Sequence, residues 1–346
     1  MKVLVTGGAG YIGSHTVVSL VEAGHEPVIV DNFDNSERSV ITTLRDMTQK
    51  ELASYEGDAA DTAFLQSVWD AEHPDAVIHF AAYKAVGESV AQPLKYYQNN
   101  LGSLLAVLHV MKQNNCSKIV FSSSCTVYGQ PDTCPVTEAT PQKPAESPYG
   151  ATKQMCERIL QDAAQAEPTA STAPLRSIAL RYFNPVGAHP SSRIGELPLG
   201  TPNNLVPYLT QATAGLREPL TVFGNDYPTP DGTCIRDFIH VVDLAEAHVA
   251  ALTYVDTAES GFTAVNIGTG TGRSVSELIA AFQEATGEKV PYKFGPRRAG
   301  DVVEVWADAS NAEKLLGWKA SRSLADSMRD AWNWQLALKK RDKNSN

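Results

Sequence analysis

A tyrosine and a lysine four positions apart are the residues of this 346-residue chain best suited to chemistry. Tyr149 and Lys153 would lie one turn apart on the same face of a helix. Ser147 and Pro148 directly precede them and are typical of a helix start. A free phenol has a pKa of about 10, so Tyr149 needs a nearby positive charge to act as a general base at neutral pH. Lys153 could supply that charge, and the hydroxyl of Ser124 could hold the reacting oxygen.

A tyrosine and a lysine at this spacing often occur by chance. The N-terminal stretch supports a catalytic role for this pair. The apolar run Lys2–Thr6 predicts a buried strand, which a glycine-rich turn and an amphipathic helical pattern follow. Gly7 permits a tight turn, Gly10 lets the backbone approach a pyrophosphate, and Gly13 lets the helix pack closely on the strand. The helix N-terminus would offer free N–H groups and a partial positive charge to the phosphates.

An acidic residue at the end of the second predicted strand indicates which dinucleotide binds. The carboxylate of Asp31 can accept hydrogen bonds from both hydroxyls of the adenosine ribose, and it would repel a 2′-phosphate. A glycine-rich turn alone also occurs in loops without a ligand. Here the strand, the helix and the acid agree, so the sequence predicts binding of NAD rather than NADP.

Composition limits the other possibilities. The net charge of −10 argues against binding to nucleic acid or to an anionic membrane surface. No stretch approaches the ~20 apolar residues of a membrane span, and the early first strand leaves no room for a signal peptide. The five cysteines show no metal-binding spacing, and their odd number does not suggest a disulfide framework. We expect a cytoplasmic protein with free thiols and no metal site.

The order of strand and helix patterns predicts the fold. Strands alternate with helices in the first half, which indicates an α/β fold with a doubly wound parallel sheet of the Rossmann type. That rhythm is lost after Pro185, where Pro and Gly become frequent. We therefore predict an NAD-binding domain over residues 1–185 and a smaller α/β domain, mainly for the substrate, over residues 186–346. Segments at about 235–270 are expected to return and pack on the first domain.

Three further features carry lesser predictions. A long helix is expected to open at Asn99 and Asn100, and residues 166–174 resemble an exposed connection. His79 lies within an apolar strand, where a core histidine is more common than a catalytic one, so it is assigned no role.

Longer motifs make the sequence similar to a specific family. They lie at residues 5–13, 30–32, 79–82, 84–89, 121–124, 126–129, 181–190 and 223–229. On these stretches the chain resembles the UDP-glucose 4-epimerases (UDP-galactose 4-epimerases) of the extended short-chain dehydrogenase/reductase superfamily, almost from end to end.

The resemblance implies a reaction. Tyr149 would take the proton from the sugar 4-hydroxyl while NAD⁺ accepts the hydride from C4, and the 4-keto sugar would then turn over and regain the hydride on its other face. The result is interconversion of UDP-galactose and UDP-glucose, a step of galactose metabolism. The cofactor is regenerated in each turnover and would be held as a prosthetic group. The resemblance also implies a homodimer formed through the helices near Asn100 and Gly150.

The residue pattern and the resemblance together assign contacts to the cofactor and to the UDP-hexose. The expected cofactor contacts are Gly7, Gly10, Tyr11, Ile12, Gly13, Asp31, Asn32, Asn35, Ser36, Asp58, Ala59, Phe80, Ala81, Ala82, Lys84, Asn99, Ser122, Tyr149, Lys153 and Phe183. The expected substrate contacts are Lys84, Ser124, Tyr149, Asn184, Asn204, Leu205, Thr221, Phe223, Arg236, Arg298, Asp301 and Val305.

One of these positions concerns specificity. The resemblance places Val305 at the family's gate beside the C2 substituent of the hexose. Members with tyrosine there exclude N-acetylated sugars, whereas smaller residues leave room. We therefore expect activity on UDP-N-acetylglucosamine and UDP-N-acetylgalactosamine as well.

Other functions fit the sequence less well. A nucleotide-sugar 4,6-dehydratase would carry an Asp-Glu pair after the serine position, whereas Ser124 is followed by Cys125 and Thr126. A UDP-glucuronate decarboxylase is less favoured by the run at residues 184–187. A protein that only senses NAD needs no base, so the intact Ser124, Tyr149 and Lys153 set argues against it. A purely structural protein is the least favoured reading.

Overall fold

The computed structural model describes residues 1–167, 173–298 and 301–344. Residues 168–172 of the expected connection, and residues 299–300 next to Arg298, lie outside the described residues.

Helices and strands alternate along the first half of the chain. The strands are β1 (Lys2–Thr6), β2 (Glu26–Asp31), β3 (Ala53–Glu56), β4 (Ala76–His79), β5 (Lys118–Ser122), β6 (Arg176–Tyr182), β7 (Asn184–Val186), β8 (Leu220–Phe223), β9 (Ile235–Arg236), β10 (Phe238–His240), β11 (Gly261–Ile267), β12 (Arg273–Ser274), β13 (Tyr292–Gly295) and β14 (Glu304–Val305). The α-helices are α1 (Tyr11–Glu22), α2 (Ser39–Thr48), α3 (Thr62–Glu72), α4 (Val86–Ala91), α5 (Pro93–Gln113), α6 (Pro148–Gln165), α7 (Leu205–Thr213), α8 (Val241–Thr257), α9 (Val275–Thr286), α10 (Ser310–Leu316) and α11 (Leu324–Asn344).

A parallel sheet of seven strands forms the centre, in the order β11-β6-β5-β4-β1-β2-β3. Its strands are apolar on both faces because helices cover both. Val3 and Val5 contribute to one core beneath α1 and α8, while Leu4 between them contributes to the other, beneath α3, α5 and α6. The Rossmann-type fold expected from the sequence is confirmed.

The second half builds smaller sheets. Strand β7 pairs with β10, β8 with β13, and β9 with both β12 and β14. Helices α7, α9 and α11 enclose a separate core around Leu209, Phe282 and Trp332. Between these parts of the chain, β11 returns to the edge of the large sheet, where it pairs with β6.

One helix boundary differs from the predicted one, and one histidine lies where it was expected. The helix expected to open at Asn99 begins earlier, at Pro93, because proline fits the first helical turn without losing a needed N–H bond. Strand β6 continues through Arg181 to Tyr182, and the Arg181 side chain has a buried ionic partner. His79 is a buried core residue, as expected, and its ring nitrogen Nδ1 lies 2.7 Å from Thr6 Oγ1.

Candidate active site

A cleft of about 620 Å³ opens where the central strands end. Strand β1 lies at the point where the strand order reverses, with β4 on one side and β2 on the other. Ligands of open α/β sheets bind at that point, beyond the carboxyl ends of the strands. All of the residues predicted to contact the cofactor line this cleft.

The glycine turn at the end of β1 leaves room that side chains would fill. Gly7 has φ +71°, and a Cβ atom there would lie 2.9 Å from the backbone nitrogen of Ala81. A Cβ at Gly13 would come within 2.8 Å of the Cα of Gly8, so helix and strand pack as closely as the sequence predicts. Gly10 stands at the N-cap of α1 and brings no side chain to occupy the N–H groups of the first turn. The turn and helix end therefore fit a dinucleotide pyrophosphate.

Asp31 is mostly buried and shapes the loop that follows it. Its carboxylate accepts hydrogen bonds from the backbone nitrogens of Ala9 at 3.0 Å and Phe33 at 2.9 Å, and from Ser36 Oγ at 2.9 Å. A carboxylate has about four acceptor positions, so one remains for a ribose hydroxyl and another would open if Ser36 turned away. The sequence did not reveal this second task of Asp31.

The catalytic candidates line the same cleft. Ser147 caps α6 by accepting a bond from the Gly150 nitrogen at 3.2 Å, and Pro148 begins the helix, as predicted. Lys153 Nζ donates to the carbonyl oxygen of Ser122 at 2.6 Å and lies 5.9 Å from the centre of the Tyr149 ring. Ser124, two residues after the end of β5, also lines the cleft.

Burial controls the protonation of this pair. It raises the pKa of Tyr149 well above its ordinary value, although the Ser124 hydroxyl acts in the opposite direction. It also lowers the pKa of Lys153 to about 8. The protein alone therefore does not produce the lowered phenol pKa that the spacing predicts, because desolvation of the buried phenol is the largest influence on that pKa. A positive charge bound in the cleft would favour the phenolate.

A buried ionic network lies directly behind these residues, and sequence reasoning missed it. Arg181 Nη2 lies 2.7 Å from Glu157 Oε2, and both side chains are almost fully buried. Ser123 Oγ donates to Glu157 at 2.6 Å, which ties the segment between Ser122 and Ser124 to α6. The available signal was a charged residue inside the apolar strand β6.

The substrate candidates divide into two groups. The first group lines the cleft and consists of Lys84, Ser124, Tyr149, Asn184 and Asn204. The second group lies outside the described wall of the cleft and consists of Leu205, Thr221, Phe223, Arg236, Arg298, Asp301 and Val305.

Within the second group, charged and aromatic side chains lie together. Arg298 donates to Asp301 at 2.8 Å, and its guanidinium lies 5.6 Å from the centre of the Phe223 ring. Arg236 Nη2 lies 4.0 Å from the same carboxylate. The sequence analysis placed all three residues among the substrate contacts and did not foresee that they pair with one another. Asn204 occupies the N-cap position of α7, immediately before Leu205, and its side chain makes no capping bond.

Val305 does not line the cleft itself but packs in the hydrophobic cluster behind it. It is buried beside Val127 and Phe183, and Phe183 itself lines the cleft. In the small sheet it stands opposite Arg236.

Glu196 is a cleft residue that the sequence analysis did not single out. Its carboxylate lies 3.2 Å from Lys84 Nζ and also accepts a hydrogen bond from Asn204. It therefore joins two expected ligand contacts that are far apart in sequence.

Residues 1–167, 173–298 and 301–344 hold no group of His, Cys, Asp and Glu suited to a metal ion. No helix within those ranges is long and apolar enough to cross a membrane.

Known proteins are similar to this chain along nearly its whole length. A family model described as GDP-mannose 4,6 dehydratase matches residues 4–331. The UDP-glucose 4-epimerase of Bacillus subtilis (strain 168) is 52% identical over 97% of each chain. The crystal structure of the Bifidobacterium longum enzyme with NAD⁺ and UDP superposes with a TM-score of 0.93 at 46% identity, over 97% of this chain and 98% of that one. The UDP-Glc/GlcNAc 4-epimerase of Campylobacter jejuni gives 0.82 at 36% identity, over 97% and 99% of the two chains. Sequence, fold and cleft thus agree, and the chain belongs to the UDP-glucose 4-epimerase family.

Proposed function

We propose that this protein interconverts UDP-galactose and UDP-glucose through a 4-keto sugar, with NAD held in the cleft. The observation that carries this proposal is the single cleft that the glycine turn and the Ser124, Tyr149 and Lys153 set both line. A proton acceptor therefore stands within the same cavity as a dinucleotide site. The B. longum relative was crystallised with both NAD⁺ and UDP, which supports the same pair of ligands here.

The side chains divide the work of the reaction. Bound NAD would supply the hydride acceptor for C4 of the sugar and return the hydride to the other face. Tyr149 takes the proton of the 4-hydroxyl and gives it back, while Ser124 holds the oxygen. With a pKa lowered to about 8, Lys153 is still mostly protonated at neutral pH, so it keeps its positive charge beside the phenol.

The remaining assignments belong to this proposal. Residues 1–185 form mainly the NAD-binding part and residues 186–346 mainly the UDP-sugar part, where Arg236, Arg298 and Asp301 anchor the nucleotide. A cytoplasmic homodimer that acts in galactose metabolism is proposed as well. The half-exposed side chains of Leu105 on α5 and Met155 on α6 are consistent with a partner on those helices.

A direct assay tests the main proposal. UDP-galactose is added to purified protein without added NAD, and UDP-glucose is measured. We expect conversion, because a retained cofactor is regenerated in each turnover. No conversion even with NAD supplied would contradict the proposal and direct attention to UDP-glucuronate and deoxysugar precursors.

We also propose activity on N-acetylated sugars. Valine at position 305 is much smaller than tyrosine and lies behind the cleft residue Phe183. The C. jejuni relative, a UDP-Glc/GlcNAc 4-epimerase, supports a pocket of this breadth within the family.

A substitution at the gate should separate the two substrate classes. Val305→Tyr is expected to lower kcat/KM for UDP-N-acetylgalactosamine by about 100-fold, because the larger ring fills the space beside C2. Conversion of UDP-galactose should change by no more than about threefold. Val305→Ala serves as the matched control and should keep both activities. A wild-type protein without activity on the N-acetylated sugar would contradict this prediction.

A further inference from the structure

A hydrogen bond joins two loops on opposite sides of the glycine turn. Tyr83 Oη donates to Asp34 Oδ2 at 2.9 Å. Asp34 follows strand β2 and Tyr83 follows strand β4, and both residues line the cleft. Neither residue has a role in the reaction described above.

The sheet order determines what this bond crosses. Strand β1 lies between β2 and β4, so the loops after β2 and β4 flank the glycine turn at the end of β1. A bond between these loops therefore spans the mouth of the cleft above that turn. A dinucleotide whose pyrophosphate rests on the turn would lie beneath it.

The loop that carries Asp34 is held in shape. Phe33 adopts a left-handed backbone conformation with φ +59°, and its nitrogen donates to Asp31 Oδ1 at 2.9 Å. Asn32 Nδ2 donates to Asp34 Oδ2 at 3.2 Å, and the Asp34 nitrogen donates to Asn32 Oδ1 at 3.1 Å. The acceptor is thus fixed by its own loop.

The donor is fixed equally well. Asn100 accepts from the Tyr83 nitrogen at 2.9 Å and donates to its carbonyl oxygen at 3.1 Å. Lys95 Nζ lies 4.3 Å from the centre of the Tyr83 ring, and Glu88 holds that ammonium at 2.8 Å. Partial burial and the bond to Asp34 raise the pKa of Tyr83 to about 12, so the hydroxyl keeps its proton at neutral pH.

We propose that Tyr83 and Asp34 form a strap that closes over bound NAD and must open before the cofactor leaves. This inference rests on the proposed function, since it requires NAD in the cleft. The two residues are positioning residues that retain the cofactor and leave the chemistry to others. A strap of this kind suits a reaction that regenerates its cofactor, because turnover never requires release.

The test measures release of NAD from the holoenzyme. Bound NAD is exchanged against isotopically labelled NAD⁺, and the exchange rate is compared among variants. Tyr83→Phe removes only the hydroxyl and should speed release by about fivefold, the effect of losing one modest hydrogen bond. Asp34→Ala removes the acceptor and should speed release at least as much, since it also frees Asn32.

The double variant distinguishes a bond from two separate contacts. If the strap is one interaction, Tyr83→Phe with Asp34→Ala releases NAD no faster than Asp34→Ala alone. The matched control is Tyr55→Phe, which breaks a 2.7 Å tyrosine–carboxylate bond to Glu72 outside the described cleft wall. It should leave release unchanged, and thermal unfolding of each variant reports whether the fold is intact.

Two kinds of result would refute the strap, and they can be told apart. Wild-type release rates in both single variants, or effects that multiply in the double variant, would refute it while the protein still binds NAD and converts UDP-galactose. A wild-type protein that neither contains nor binds NAD would refute the cofactor assignment and the strap together.

Discussion

Tyr149→Phe is expected to lower kcat for UDP-galactose by about 1,000-fold, the scale of a lost general base. The substitution removes one oxygen from a buried ring and leaves the apolar packing in place. The sugar 4-hydroxyl then has no group positioned to accept its proton. Conversion is measured by coupled formation of UDP-glucose, and bound NAD is measured in the same preparations.

The control is a second buried tyrosine of the same cleft. Tyr182 lines the cleft and hydrogen-bonds through its hydroxyl to Ser122 Oγ. Tyr182→Phe also removes one phenol oxygen, but no lysine stands one helical turn from it. We expect less than about a tenfold loss of kcat, the scale of a supporting hydrogen bond. The role of Tyr149 would be refuted if Tyr149→Phe kept more than about a tenth of wild-type kcat, since general-base loss costs more.

The sequence predicted those parts of the site that depend on residues close together along the chain. The glycine turn, the acid that ends β2, and the Tyr149–Lys153 spacing each depend on neighbouring positions in one element. The alternation of strands and helices then determines the fold, and the carboxyl ends of parallel strands bring these elements to one edge. The family resemblance added the substrate contacts, including those that lie outside the cleft wall.

What the sequence did not predict depends on pairs that are distant along the chain. Glu196 meets Lys84 across 112 positions, and Tyr83 meets Asp34 across 49. A residue's type does not say which partner it will find once the chain folds. The protonation states of Tyr149 and Lys153 were not predicted for a related reason. The spacing places the lysine near the phenol, but only the packed structure shows that burial opposes the charged form of both side chains.

The Arg181–Glu157 pair is such a distant contact, and its loss should produce the largest change in stability. The two side chains are 5% and 1% exposed. Glu157 also accepts bonds from Ser123 and Gln142, and Arg181 donates to the Tyr128 hydroxyl. Removing the arginine would leave a buried carboxylate without its counter-charge. Such a carboxylate must be protonated, hydrated or exposed.

Arg181→Met is therefore expected to lower the free energy of unfolding by ~3–5 kcal/mol. Urea unfolding, monitored by tryptophan fluorescence, measures the change. Adding Glu157→Leu to that variant removes the stranded charge and should restore at least about half of the loss, although Ser123 and Gln142 then lack a partner. Equal destabilisation in the single and double variants would contradict this account, because it would mean that lost packing, and not an unpaired buried charge, sets the cost.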